Sequence, residues 1–238
     1  MKNYKIIGPS VYLEESKILI IGDLHIGFEK EIRRNFGNIY LGQEKENLRL
    51  LKKILEKVKK IKKIIFLGDA THSFLYKKNE VEEFKEIIDF LKENTRTEII
   101  LIRGNHDLFL KEEMFDKKIK IFDYFIEKDM LFIHGDKKSF RKIEKNILKK
   151  AKYIFLGHFH PAIEIKESIK KEKFKCFLIG KYKEKNYFFL PSFFPFNEGM
   201  DIRKNSEINH GLIKNLEVYV IDEEFNIYNF GKLKNLKF

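Results

Sequence analysis

The chain has 238 residues, 43% of them hydrophobic, with 24 Phe and 10 Tyr, which gives material for a sizeable core and excludes a disordered chain of low apolar content. Its formal charge of +12 comes from 48 basic residues, only seven of them Arg, interleaved with 36 acids. That pattern fits either a general solvated surface or a polyanion-binding face, because bidentate phosphate recognition favours Arg over Lys.

Met1-Lys-Asn-Tyr-Lys lacks the zones of a signal peptide, and no apolar run approaches the roughly 18 residues of a membrane span. A cytoplasmic protein without membrane contact is expected, organised as a single domain over residues 1–238. The first strand-like run is Lys17 to Ile21, stopping at Gly22-Asp23-Leu24-His25. Leu48, Leu51, Ile54, Leu55, Val58 and Ile61 then advance at helical spacing. Ile64 to Leu67 follows as a strand before Gly68-Asp69, and Val81, Phe84, Ile87, Ile88 and Leu91 give a second helix. Ile99 to Ile102 stops at Arg103-Gly104-Asn105-His106-Asp107, and Met130 to Ile133 stops at His134. Ile143, Ile147, Leu148 and Ala151 are again helical in spacing, after which Tyr153 to Leu156 runs into Gly157-His158-Phe159-His160.

Short apolar runs alternating with amphipathic helices predict βαβ units and largely parallel strands, with ligands beyond the strand carboxyl ends. From Ala162 to Leu190 and from Glu217 to Phe230, strand-like stretches without an intervening helix predict antiparallel strands that complete a second sheet. Cys176 lies in an apolar run and reads as a buried thiol. His210 reads as an exposed loop residue. The aromatic stretch Tyr187 to Gly199 is either a strand burying its Phe residues or the wall of a pocket where a base stacks, with Phe193, Phe194 and Phe196 as its candidates.

Singly, these polar stops are ordinary turns. Together they are not, because five of the seven His fall at the ends of strand-like runs, and parallel strands bring those ends to one edge. One basin of Asp, Asn and His is the economical arrangement.

In order along the chain, Asp23-x-His25, Gly68-Asp69, Gly104-Asn105-His106-Asp107, His134 and Gly157-His158-x-His160 resemble the signature of the calcineurin-like metallophosphoesterases. The segment Gly68-Asp69-Ala70-Thr71-His72-Ser73 is similar to the Gly-Asp-Leu-Phe-His-Ser of SbcD-type repair nucleases, with Ala-Thr in place of Leu-Phe, and the likeness is closest to the archaeal branch related to them. The resemblance implies an α/β fold, a four-layer α/β/β/α sandwich of two mixed sheets flanked by helices. It implies two divalent metal ions, with manganese expected and iron, zinc or nickel as alternatives. Asp23, His25 and His160 would hold one ion, Asn105, His134 and His158 the other, and Asp69 would bridge them. Such a pair shares and acidifies a water, the nucleophile, and stabilises the attacked phosphate. By the same resemblance His106 faces the phosphate as a non-ligand acid, Asp107 orients its ring, and His72 carries a nuclease-like catalytic role. Arg103 would contact phosphate or form a salt bridge beneath its loop.

The expected activity is phosphoester hydrolysis, by a phosphodiesterase or nuclease acting on a phosphoester substrate such as a nucleic acid or nucleotide. The competing readings are a non-catalytic scaffold of the same fold, like the retromer subunit, which requires lost ligands, and a zinc hydrolase of non-phosphate bonds, against which the Asn and the bridging Asp argue. SbcD-type nucleases carry a capping region and an ATPase-docking segment. Here 78 residues follow His160, largely consumed by the second sheet, so small or single-stranded phosphodiesters are expected to be preferred to duplex.

Overall fold

The computed structural model describes residues 3–37, 42–167, 170–194 and 196–236. One sheet contains β1 (Tyr4–Ile7), β2 (Ser10–Leu13), β3 (Ile18–Ile21), β4 (Lys63–Phe66), β5 (Glu98–Ile102) and β6 (Lys120–Phe122), in that spatial order. β1, β2 and β3 pair antiparallel, and β3 to β6 run parallel. The second sheet contains β7 (Tyr124–Glu127), β8 (Met130–Ile133), β9 (Tyr153–Leu156), β10 (Pro161–Glu167), β11 (Lys170–Tyr182), β12 (Lys185–Phe189), β13 (Met200–Asp201), β14 (Glu217–Ile221) and β15 (Ile227–Lys232).

The helices are α1 (Phe28–Phe36), α2 (Gln43–Lys57), α3 (Lys78–Asn94), α4 (Lys137–Arg141), α5 (Lys145–Lys150) and α6 (His210–Ile213). Three apolar layers separate four layers of structure. Leu19, Ile21, Ile64, Phe66, Ile99 and Leu101 face α2 and α3, packing on Leu51, Ile54, Phe84 and Ile88. The alternate residues Ile18, Ile20, Ile65, Leu67, Ile100 and Ile102 face the second sheet, against Met130, Phe132, Phe155, Phe177 and Phe188. On the far side, Leu131, Ile133, Ile154 and Leu156 pack with Ile143, Ala151, Leu212 and Ile213. Strands covered on both faces need apolar residues at every position, which is why these runs are uninterrupted. The result is the expected α/β/β/α sandwich of two mixed sheets.

Several boundaries differ from expectation. The first helix expected from the apolar spacing is α2, which begins at Gln43 and ends at Lys57, leaving Val58 extended and Ile61 beyond it, while α1 before it was not expected. The helical spacing from Ile143 to Ala151 is shared between a turn and the short α5, with α4 before it. The second sheet's later strands are not all antiparallel: β12 runs parallel to β9, and β13 parallel to β10, while β11, β14 and β15 pair antiparallel. His210 is exposed, as expected, but opens α6 rather than lying in a loop. Among the described residues no helix is long and apolar enough to cross a membrane.

Candidate metal centre

The parallel strands β3, β4 and β5 of one sheet and β8, β9 and β12 of the other release their chains at a common edge. Each loop leaves immediately after a buried strand, so its first polar residue is fixed by the sheet. The edges are tied together there. Asp23 Oδ2, after β3, accepts the backbone N–H of His158, after β9, at 2.9 Å. The Asp23 carbonyl accepts the Phe193 N–H at 2.8 Å and the Ser192 hydroxyl at 3.2 Å, both following β12. The carbonyl of Asp69 accepts the N–H groups of Leu24 and His25 at 3.1 and 2.9 Å.

Four of the expected ligands, His25, Asp69, His158 and His160, have φ between 39° and 63°, a left-handed conformation that costs a residue with a side chain about 1–3 kcal/mol when held in strain. The chain accepts it because neighbouring glycines let the loops close. At Gly68, with φ of 106°, a Cβ would come within 2.5 Å of His134 Nδ1.

Three groups of donor atoms result among the described residues: His25, His72 and His106 form one, beside the two in which the expected ligands meet. Asp23, His25 and His160 present atoms within 4.8 Å of one another, and Asp69, His134 and His158 do the same. In the first, His160 Nε2 lies 2.7 Å from Asp23 Oδ2 and 3.2 Å from His25 Nε2. In the second, His134 Nε2 lies 3.0 Å from Asn105 Oδ1 and 3.4 Å from Asp69 Oδ2. Asp69 Oδ2 is also 3.7 Å from His25 Nε2, so this carboxylate faces both groups.

Electrostatics follow from crowding charges away from water. Burial works against the Asp69 carboxylate, but His134, His25 and His106 hold it far below the usual range. Burial also opposes ionised Asp23, and His160 lowers it. His25 is pushed down to about 3 by burial and by His160. His134 goes the other way: burial disfavours its charge, yet Asp69 and Asp23 raise it to about 10. Burial, then His134, lowers His158.

These residues suit divalent cations on three counts. Asp23 Oδ1 is buried with no hydrogen-bond partner among the described residues, a charge-bearing oxygen that lacks compensation. His134 Nδ1 lies 2.8 Å from the Leu67 carbonyl, so a neutral ring keeps its proton there and turns the Nε2 lone pair to the basin. The nitrogen and oxygen donor set is one that first-row divalent ions accept.

The remaining candidates are arranged differently from expectation in one respect. Asp107 does not touch the His106 ring. Its buried carboxylate accepts the backbone N–H groups of Gly104 at 3.1 Å and of Ala70 and Thr71 at 3.2 Å each, tying two loops together, while burial and Asp69 raise its pKa to about 7. Three backbone donors outcompete one imidazole for a carboxylate in this position. His106 Nδ1 instead donates to the His72 carbonyl, its backbone N–H donates to Asp69 Oδ1 at 3.0 Å, and its Nε2 lies 3.8 Å from Asp69 Oδ2. The His72 ring spans from His25 Nδ1, at 3.4 Å, to Glu31 Oε2, at 2.5 Å. Arg103 pairs with Asp123 at 3.5 Å and donates to the Leu110 carbonyl, beneath the loop.

Phe193 and Phe194 are fully buried, so they offer no stacking surface; Phe196 is exposed, and Pro195 lies outside the described residues. Three positioning residues gave no sequence signal: Gln43 and Glu80 in the first turns of α2 and α3, and Glu207 in the segment before α6. Buried Gln43 donates to the His25 carbonyl at 2.8 Å and accepts the Gly27 N–H at 3.2 Å. Buried Glu80 accepts the N–H groups of His72 and Ser73 at 3.1 and 2.9 Å. Glu207 lies 3.4 Å from His158 Nε2.

The family model described as calcineurin-like phosphoesterase matches residues 16–216. Among solved structures, the nuclease MPE of Pseudomonas putida is similar, with 19% identity, a TM-score of 0.63, and coverage of 96% of this chain and all of that one. A protein of unknown function from Aquifex aeolicus shows 23% identity and a TM-score of 0.43, over 60% of this chain and 78% of that one. Zinc-complexed Vps29 from Entamoeba histolytica shows 14% identity and a TM-score of 0.41, over 90% of this chain and 98% of that one. At these identities the likeness to the nuclease is one of fold. No curated protein matches the sequence.

Proposed function

The chain belongs to the calcineurin-like phosphoesterase family, and from that premise we propose that it is a two-metal-ion phosphodiesterase of the nuclease branch, acting on unpaired nucleic acid or a nucleotide. The observation that carries this reading is the convergence of two donor groups on Asp69, with the non-ligand His106 beside them. Asp23, His25 and His160 would hold one cation and Asn105, His134 and His158 the other, with Asp69 shared. Bound there, the ions would supply Lewis-acid polarisation of the phosphate and activation of water. Manganese is our first choice of ion, and the donors also admit iron, zinc or nickel.

The chain's own groups do the rest. His106 spends its Nδ1–H on the His72 carbonyl, which aims Nε2 at the basin. As imidazolium it carries a second proton at Nε2, in place to reach a leaving oxygen. Asp107 holds the backbone of Gly104 and of Ala70-Thr71, and so fixes His106 through its loop rather than through its ring. His72 stacks near His106, with ring centroids 5.6 Å apart, and is steadied by Glu31. Its place in Gly68 to Ser73, the segment similar to the SbcD-type nucleases, supports the nuclease branch. A scaffold of this fold has no need for a complete donor set, and each expected position here is filled.

The test is a manganese-supplemented panel of single-stranded DNA, duplex DNA, a 2′,3′-cyclic nucleotide and a phosphomonoester at equal phosphoester concentration. Hydrolysis of the first and third ahead of the others is expected. No hydrolysis of any of them, with metal bound, would sink the proposal.

A further inference from the structure

Among the described residues, the four large apolar side chains most open to solvent are Leu75 at 78%, Phe74 at 65%, Leu108 at 59% and Tyr76 at 55%. All four sit on two loops that meet at His106. The Phe74 ring stacks on the His106 imidazole with centroids 3.9 Å apart and planes 25° apart, and Tyr76 meets Phe109 edge-on at 6.0 Å. Scattered exposed apolar residues are normal, but such a concentration marks a surface that binds something.

The loop is held at its base. Glu80 accepts both backbone N–H groups of His72 and Ser73, and the Ser73 hydroxyl at 2.6 Å. Exposure of Phe74 and Leu75 is therefore built in rather than a consequence of a frayed end. The same two residues border an open cleft of about 520 Å³ that Lys30, Arg34 and Lys77 also line. Lys30 is 3.2 Å from Glu83 and Lys77 is 3.5 Å from Glu80, while Arg34 has no ion pair among the described residues. The acid lining the cleft, Glu31, is turned to His72.

An aromatic and aliphatic wall, flanked by cations and stacked on His106, has the chemistry of a site for a nucleotide out of its stack: a π-face for the base and positive charge for the backbone. A duplex has no free base face to give this wall. A protein seated on Phe74 would cover His72 and His106. We propose that Phe74 and Leu75 form the platform on which an unpaired nucleobase beside the scissile phosphodiester packs, with Lys30 and Arg34 taking a neighbouring backbone phosphate. The proposal rests on the phosphodiesterase reading above and names what that site selects.

The experiment compares a labelled single-stranded oligothymidylate with an abasic deoxyribose-phosphate strand of equal length, binding each to the full chain in chelator by fluorescence anisotropy. Wild type is expected to bind the base-bearing strand about 10-fold more tightly. Leu75→Ser and Phe74→Ala bring that ratio towards one without weakening the abasic strand, and Phe74→Tyr keeps it, with thermal unfolding confirming that each variant is folded. The abasic strand retains every phosphodiester, so its manganese-dependent hydrolysis reports the phosphodiesterase reading separately. Equal binding of both strands by wild type that still cuts them overturns the platform and leaves that reading intact, whereas no cleavage of either strand overturns the reading itself. A change of oligomeric state in Leu75→Ser by light scattering, with base preference unchanged, assigns the patch to a second copy of this chain and also overturns the platform.

Discussion

His134 Nδ1 lies 2.8 Å from the carbonyl oxygen of Leu67, so a ring that follows β8 of one sheet is oriented by the residue that follows β4 of the other. The contact ties the two sheets together where the donor atoms gather. It also sets the tautomer: with the ring N–H spent on Leu67, the Nε2 of a neutral His134 has only a lone pair to offer Asn105 and Asp69. Asp69 favours a cation at this point: in the bare site it is the proton that Asp69 holds on His134, raised to about 10, and on the proposed reading a metal ion would take its place.

Metal content and turnover should therefore separate by residue. Chelation is expected to abolish hydrolysis and manganese to restore it. Asp69→Ala should lose both metal and activity, because its carboxylate faces both donor groups. His106→Ala should keep near-normal metal and lose roughly 10²–10⁴-fold in turnover. Elemental analysis beside kinetics decides it, and equal metal loss in the two variants would show that His106 has been misassigned.

Gly68 is placed where a side chain has neither the backbone angle nor the room. At φ of 106° an added Cβ would lie 2.5 Å from His134 Nδ1 and 2.9 Å from the backbone of Gly104. Gly68→Ala is expected to cost about 2 kcal/mol or more and to weaken metal retention, since His134 must shift. Gly37 provides the control: its φ is 88°, but nothing among the described residues lies within 4 Å, so Gly37→Ala is expected to carry mainly the angular strain, about 1 kcal/mol. Similar denaturant midpoints for the two variants would contradict this account.

The strands that carry the site were legible because burial on both faces leaves no polar position in them, and a run such as Ile99 to Ile102 then ends visibly at Arg103. β1 and β2 escaped notice because Lys5 and Tyr12 interrupt short four-residue strands. α1 is only nine residues long and no side-chain hydrogen bond caps it. The start of α2 was hidden for another reason: Gln43 and Asn47 are polar yet buried, so the apolar periodicity begins a turn late. Position in the sequence also could not show that Asp107 serves two loops, which depends on how the turns after β4 and β5 meet, or decide between burial and a pocket wall for Phe193 and Phe194, which depends on where β12 delivers its chain relative to Asp23.

That delivery involves a buried amine with a pH signature. The Lys175 ammonium is turned inward, donating to the carbonyl of Ser192 at 2.9 Å and to that of Phe194, in the loop whose Ser192 hydroxyl and Phe193 N–H hold the Asp23 carbonyl. Burial lowers Lys175 from an ordinary 10.5 to about 7. Between those values the unfolded chain binds a proton that the folded chain does not, so stability rises with pH across the window, by at most about 1.4 kcal/mol per pH unit. Below about 7 both states carry the charge and the penalty is complete; above about 10 neither does and it vanishes. Other groups titrate in the same range, so the quantity to measure is the difference from Lys175→Met, which keeps the stem and removes the charge. Denaturant unfolding at pH 7, 8, 9 and 10 is expected to show wild type gaining on the variant at each step. A flat difference would mean that the Ser192 and Phe194 carbonyls keep the amine charged throughout, and that its burial is compensated by hydrogen bonding instead.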